Sequence, residues 1–109
     1  MLFAEIKGSI LWMAPEAIKG IKVGRRSDIW SLGCTLIELA TAGYPWPNIK
    51  DLSELFNKIV SEETPEIPEH LSKECQDFII QCLTHDKDKR PTALTLLDHP
   101  FVKVLATED

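Results

Sequence analysis

The segment that most constrains this chain is Ser27–Ala42, SDIWSLGCTLIELATA. Ser27 can accept a backbone N–H at a helix start, and Asp28 places negative charge in the first turn, where the helix dipole favours it. Ile29, Trp30, Leu32, Cys34, Leu36, Ile37, Leu39 and Ala40 then fall on every side of a 3.6-residue wheel. A helix that is apolar all round wants cover all round. Ser31, Thr35 and Glu38 interrupt it, and it is too short to span a bilayer. The expectation is a central helix with other segments packed on it. Gly33 stands in its middle at a cost of roughly 1 kcal/mol against Ala, which signals a close approach by another backbone or a bulky side chain.

The 109 residues suffice for one small domain around one core. A net charge of −5 argues against a nucleic-acid surface, and Arg25–Arg26 is the only basic cluster along the sequence. Cys34, Cys75 and Cys82 are odd in number and sit on apolar helical positions. They read as reduced core thiols of a cytoplasmic or nuclear protein, not as a disulfide framework. Met1–Lys7 carries Glu5 and Lys7 and lacks the apolar run of a signal peptide. Neither a membrane nor a nucleic acid is expected as a partner.

The other elements follow from periodicity and punctuation. Met1–Lys7 reads as a short strand or extended segment, and Gly8–Met13 as an extended loop. Ala14–Lys19 reads as a short helix opened by Pro15 and stopped by Gly20. Pro45 and Pro47 make Tyr44–Lys50 a loop. Asp51–Ser61 reads as a helix with Leu52, Leu55, Phe56, Ile59 and Val60 in one stripe. After the acidic loop Glu62–His70, Ser72 caps a helix to Leu83 with a stripe of Cys75, Phe78, Ile79, Cys82 and Leu83. Pro91 and Thr92 open a last helix to about Asp98, and Phe101, Val102, Val104 and Leu105 form an apolar tail. The fold class is all-α.

Singly, no residue announces chemistry. His70, His85 and His99 are far apart and read as solvated histidines rather than metal ligands. Asp86 and Asp88 lack the glycine and closing Glu of a calcium loop. The five glycines are scattered, so there is no phosphate-cradling loop.

The combination says more. Trp12-Met13-Ala14-Pro15-Glu16, then Asp28-Ile29-Trp30-Ser31-Leu32-Gly33, then Asp86 with Arg90-Pro91-Thr92, then His99-Pro100-Phe101, resembles the C-terminal lobe of eukaryotic protein kinases. The order and spacing hold from about Gly8 to Lys103. The resemblance implies a lobe fragment whose helices surround a buried central helix, Ser27–Ala42. It also implies that Gly8, Ser9, Ile10, Leu11 and Trp12 end the activation segment and form the shelf that binds the protein substrate. Ser9 falls where serine/threonine kinases carry a hydroxyl. Tyrosine kinases usually have proline there, and a basic residue where Leu11 stands. Glu16 and Arg90 are implied to form a buried ion pair. Asp28 is implied to accept backbone N–H groups of a catalytic loop, and Trp30 and Gly33 to be structural. Ile10-Leu11-Trp12 is similar to Raf-like kinases, whereas Ser27–Leu39 and the tail are similar to Ste-type kinase-kinase-kinases. Lys87 replaces a proline frequent in the family.

What a kinase needs for phosphoryl transfer is a glycine-rich loop, a strand lysine, a catalytic-loop Asp and Asn, and a metal-binding Asp. None of these motifs occurs in the 109 residues. No catalytic residue and no cofactor is therefore assigned to this chain. ATP and magnesium are implied for a complete kinase, with the N-terminal portion of the domain as a required partner. The chain alone is expected to be inactive, with an exposed apolar patch beside Trp30 and the helix face, and with marginal stability or self-association. The alternative is a non-catalytic kinase-like module that docks a partner around Asp51–Ser61.

Overall fold

In the computed structural model of the chain, residues 10–107 are described, and among them there are helices and turns but no strand. The helices are α1 (Pro15–Ile18), α2 (Arg25–Thr41), α3 (Leu52–Val60), α4 (Lys73–Cys82), α5 (Ala93–Leu96) and α6 (Pro100–Thr107). The all-α expectation holds for these residues. Met1–Lys7, together with Gly8 and Ser9 of the expected shelf, lies outside them.

The long helix α2 starts earlier than Ser27. Arg25 and Arg26 are good helix formers, so the helix runs back until Gly24 caps it in extended backbone. Ser27 is therefore not the N-cap. It sits in the first turn, and its Oγ accepts the Gly24 N–H at 3.1 Å. At the other end Ala42 takes the left-handed conformation, φ 56°, and returns its N–H to the Glu38 carbonyl at 2.7 Å.

Burial divides α2 into two faces. Ile29, Trp30, Gly33, Cys34 and Ile37 are buried, and the helix packs mainly on α4. A Cβ on Gly33 would lie 2.8 Å from Cys82 Cβ and 3.1 Å from Leu83 Cδ2, so the glycine marks the closest approach of the two helices. Asp28, Leu32, Thr35, Glu38 and Leu39 are exposed, Leu39 at 75%. The helix is thus not covered all round. Of the apolar patch expected beside Trp30 and the helix face, the exposed part lies on the helix face at Leu32 and Leu39 and does not include Trp30. Trp30 shares the inner side with Cys34 and Ile37 and is wholly buried.

The later helices follow their capping residues. Asp51 Oδ1 accepts the Glu54 N–H at 2.9 Å, and Ser72 Oγ accepts the Cys75 N–H at 3.1 Å. On α3 the stripe is only half used: Leu55 and Ile59 are buried, while Leu52, Phe56 and Val60 are exposed. Thr92 caps α5, which ends at Leu96 rather than Asp98. The apolar tail is itself a helix, α6, started by Pro100, whose fixed φ suits a first helical position. Phe101 and Val102 pack it on the cluster of Ile29, Phe78, Cys82 and Leu96.

Two histidines are not solvated. His99 is buried because both ring nitrogens find partners: Nε2 lies 2.7 Å from Asp77 Oδ2, and Nδ1 accepts the Phe101 N–H at 3.1 Å. His85 is half-buried, with Nε2 2.7 Å from the Glu63 carbonyl and its ring edge-on to Trp30 at 5.1 Å. His70 is exposed. All three cysteines are free and buried. Burial pushes the Cys34 and Cys82 thiols up to about 12 and raises Cys75, so all are neutral.

Candidate functional site

Glu16 and Arg90 meet at the junction of α1, α2 and the turn before α5. Arg90 Nη1 donates to Glu16 Oε2 at 2.8 Å, and Nη2 donates to Oε1 at 3.0 Å. This bidentate geometry matches the planar guanidinium to the carboxylate. The remaining Arg90 donors are also used. Nε reaches the Thr84 carbonyl at 2.7 Å, Nη1 the Arg26 carbonyl at 2.7 Å and Nη2 the His85 carbonyl at 3.1 Å. The guanidinium also lies over the Trp30 ring, 5.5 Å from its centroid. Both partners are buried, Arg90 completely. A buried ion pair is favourable only when its other hydrogen-bonding groups are satisfied, and here they are.

Ser27 completes the node. Its hydroxyl donates to Glu16 Oε2 at 2.7 Å while accepting from Gly24. Burial works to raise the Glu16 carboxyl. The hydrogen bonds from Arg90 and Ser27, with the Arg90 charge, outweigh burial and hold it below the usual carboxylate range. The glutamate is therefore ionised and fixed.

The segment before α1 is tied to α2 by one side chain. Ser31 Oγ donates to the Trp12 carbonyl at 2.7 Å. Ile10 and Leu11 are buried in the core, and Met13 N–H closes a turn on the Ile10 carbonyl at 3.1 Å. Trp12 is half-buried, with its ring edge-on to Tyr44 at 6.1 Å. Of the expected shelf, Ile10, Leu11 and Trp12 thus lie together along α2. Ile10 is 6% exposed and Leu11 is wholly buried, so of these three residues only Trp12 presents surface. Asp28 is exposed in the first turn of α2, with no side-chain hydrogen bond or ion pair among the described residues. Trp30 and Gly33 are core residues of α2.

Sequence reasoning missed Ser31, taken only as a break in an apolar helix. Its partner is 19 residues away, so no local pattern reveals it. The same is true of Ser27, taken as a cap. Among the described residues, no group of three or more His, Cys, Asp or Glu side chains could hold a metal ion.

Residues 2–102 match the family model for the protein kinase domain. The chain belongs to that family. Its helices are those of the C-terminal lobe of the protein kinase domain. It is 48% identical over 101 residues to mitogen-activated protein kinase kinase kinase A of Dictyostelium discoideum, covering 92% of this chain and 11% of that protein. It is 48% identical over 98 residues to mitogen-activated protein kinase kinase kinase YODA of Arabidopsis thaliana, covering 89% and 11%. It is 45% identical over 105 residues to mitogen-activated protein kinase kinase kinase 4 of Homo sapiens, covering 94% and 6%. The chain spans about a tenth or less of the length of these curated relatives. Of the two kinase groups that the sequence resembles, these relatives favour the kinase-kinase-kinases. No helix among the described residues is long and apolar enough to cross a membrane.

Proposed function

We propose that the chain is the substrate-lobe portion of a serine/threonine protein kinase of the kinase-kinase-kinase type, in which Gly8–Trp12 forms the shelf under a protein substrate. The observation that carries this reading is the bidentate, buried Glu16–Arg90 pair. Together with the Ser31–Trp12 bond it locks the Ile10–Glu16 segment to the helical base. Such a lock serves a surface whose position matters to a bound peptide.

The described residues do not fit ATP and magnesium: they bring together no acidic cluster for a metal, and the sequence has no glycine-rich loop. In this reading nucleotide and metal are held by the rest of a kinase domain, which seats on the exposed Asp28, Leu32 and Leu39 face of α2. The partners are that portion and a protein substrate, and the compartment is the cytoplasm or nucleus. The test is radiolabelled phosphate transfer from ATP to a generic protein substrate. The 109 residues alone should show background counts. Mixing them with a separately made kinase portion carrying the ATP-binding and catalytic motifs should restore transfer. Turnover by the chain alone, or no gain on mixing, contradicts the reading.

A second reading, a non-catalytic interaction module, is favoured by the exposed Leu52, Phe56 and Val60 on α3. It predicts no restored transfer on mixing, and partner capture that Phe56→Ser abolishes.

A further inference from the structure

Along the sequence the basic signal is only Arg25–Arg26. Folding enlarges it. Residues 19–26 contain Lys19, Lys22, Arg25 and Arg26 and no acid, within a chain of net charge −5. Lys22, Arg25 and Arg26 line a cavity of about 320 Å³ together with Lys87, which arrives from the turn between α4 and α5. Arg26 Nη1 pins that turn to the start of α2 by donating to the Lys87 carbonyl at 3.3 Å and the Asp88 carbonyl at 3.1 Å.

These cations are not neutralised from within. Among the described residues no ion pair reaches Lys22, Arg25, Arg26 or Lys87. Two acids border the cavity, Glu16 and Asp88. Glu16 is already committed to Arg90 and Ser27, which leaves Asp88 alone against four cations. On their other side Arg25 and Arg26 border a second cavity of about 280 Å³, whose apolar wall is Ile29, Ala93 and Leu94. Leu94 is 77% exposed there. A cationic concavity and an apolar one therefore share two arginines.

We propose that this face docks an acidic segment of a partner protein, with its carboxylates against Lys22, Arg25 and Lys87 and a neighbouring apolar side chain over Ile29 and Leu94. Charge complementarity chooses the partner's sign, and the apolar wall supplies the desolvated contact that such interfaces need. A nucleic acid fits less well, because the basic face is short and the chain around it is acidic. A second copy offers its own Glu62–Glu69 loop as the longest acidic run among the described residues. There Glu63 is paired with Lys58 at 3.1 Å and Pro65 is buried, which holds the loop against its own chain, and self-association is an outcome of the test below. The inference is independent of the kinase reading, because it uses none of the shelf residues.

The experiment is fluorescence anisotropy of the 109-residue chain with a fluorescein-labelled synthetic peptide, Glu-Glu-Glu-Leu-Glu-Glu-Leu, at low ionic strength. The acidic peptide should bind, its Gln-for-Glu analogue roughly tenfold more weakly or worse, and added salt should release it. Lys22→Ala/Arg25→Ala should weaken binding by ~10-fold and Leu94→Ala by ~3-fold. These side chains are exposed and stand outside the core, so circular dichroism should be unchanged. The proposal is overturned if the acidic peptide fails to bind, if the Gln analogue binds equally, or if a decamer of uridine binds more tightly. It is equally overturned if both variants bind as the parent does, or if Lys22 and Arg25 instead prove necessary for self-association in sedimentation.

Discussion

Both faces of α2 carry large apolar side chains, which meet opposite fates. The inner face, Ile29, Trp30, Cys34 and Ile37, closes on α4 around Gly33, and Arg90 lies over Trp30. The outer face leaves Leu39 75% exposed and Leu32 39% exposed among the described residues. Apolarity alone does not decide burial. What decides it is whether another element can come close, and on the inner face the missing Cβ of Gly33 lets α4 do so.

Mutations should therefore sort by face. The largest effect belongs to Arg90→Ala, which leaves Glu16 ionised and buried without its partner. It should lower stability by about 3–5 kcal/mol in a urea titration. The double change Glu16→Leu/Arg90→Met should recover most of that, and an additive loss would refute the account of the pair. Gly33→Ala comes next, at about 1–3 kcal/mol, because its Cβ would meet Cys82 Cβ at 2.8 Å. A neutral result there would remove the explanation for the buried face.

Acid should find the same node. The folded-state Glu16 carboxyl titrates below its ordinary value of 4.5. Its contribution is therefore present above that value and is lost as pH falls through the depressed folded-state value. The urea midpoint should drop on acidification in that range, and by less in Glu16→Gln. Equal pH profiles would mean that Glu16 is not held ionised. The smallest effect belongs to the outer face. Leu39→Ser should change the stability of the chain by no more than about 0.5 kcal/mol, while weakening its association with the rest of a kinase domain. A large loss of stability would mean that this face is covered after all.

Much of the fold was legible because it rests on local chemistry. Ser72 caps its helix as expected, and Asp51 and Thr92, expected to open theirs, cap them, each side chain accepting from the N–H three residues on. Less legible was anything joining distant residues. Ser27 looked like a cap because its neighbours are helical, yet the cap is Gly24, and the Ser27 hydroxyl serves Glu16. His99 looked solvated beside a loop, yet Asp77 and the Phe101 N–H occupy both of its nitrogens. The Glu16–Arg90 pair came through family resemblance, since no periodicity links residues 74 positions apart.

The sequence by itself determined that this chain is helical, that Ser27–Ala42 lies at its centre, and that Gly33 needs a close neighbour. Those properties follow from hydrophobic period, caps and the absence of a side chain. Tertiary structure decided which side of α2 is buried and that Ser31 holds the Trp12 carbonyl. It also decided that Lys22 and Lys87 join Arg25 and Arg26 around one cavity. Each of these depends on bringing far-apart residues within a few ångströms, and only the packing of α4 and its following turn against α2 does that.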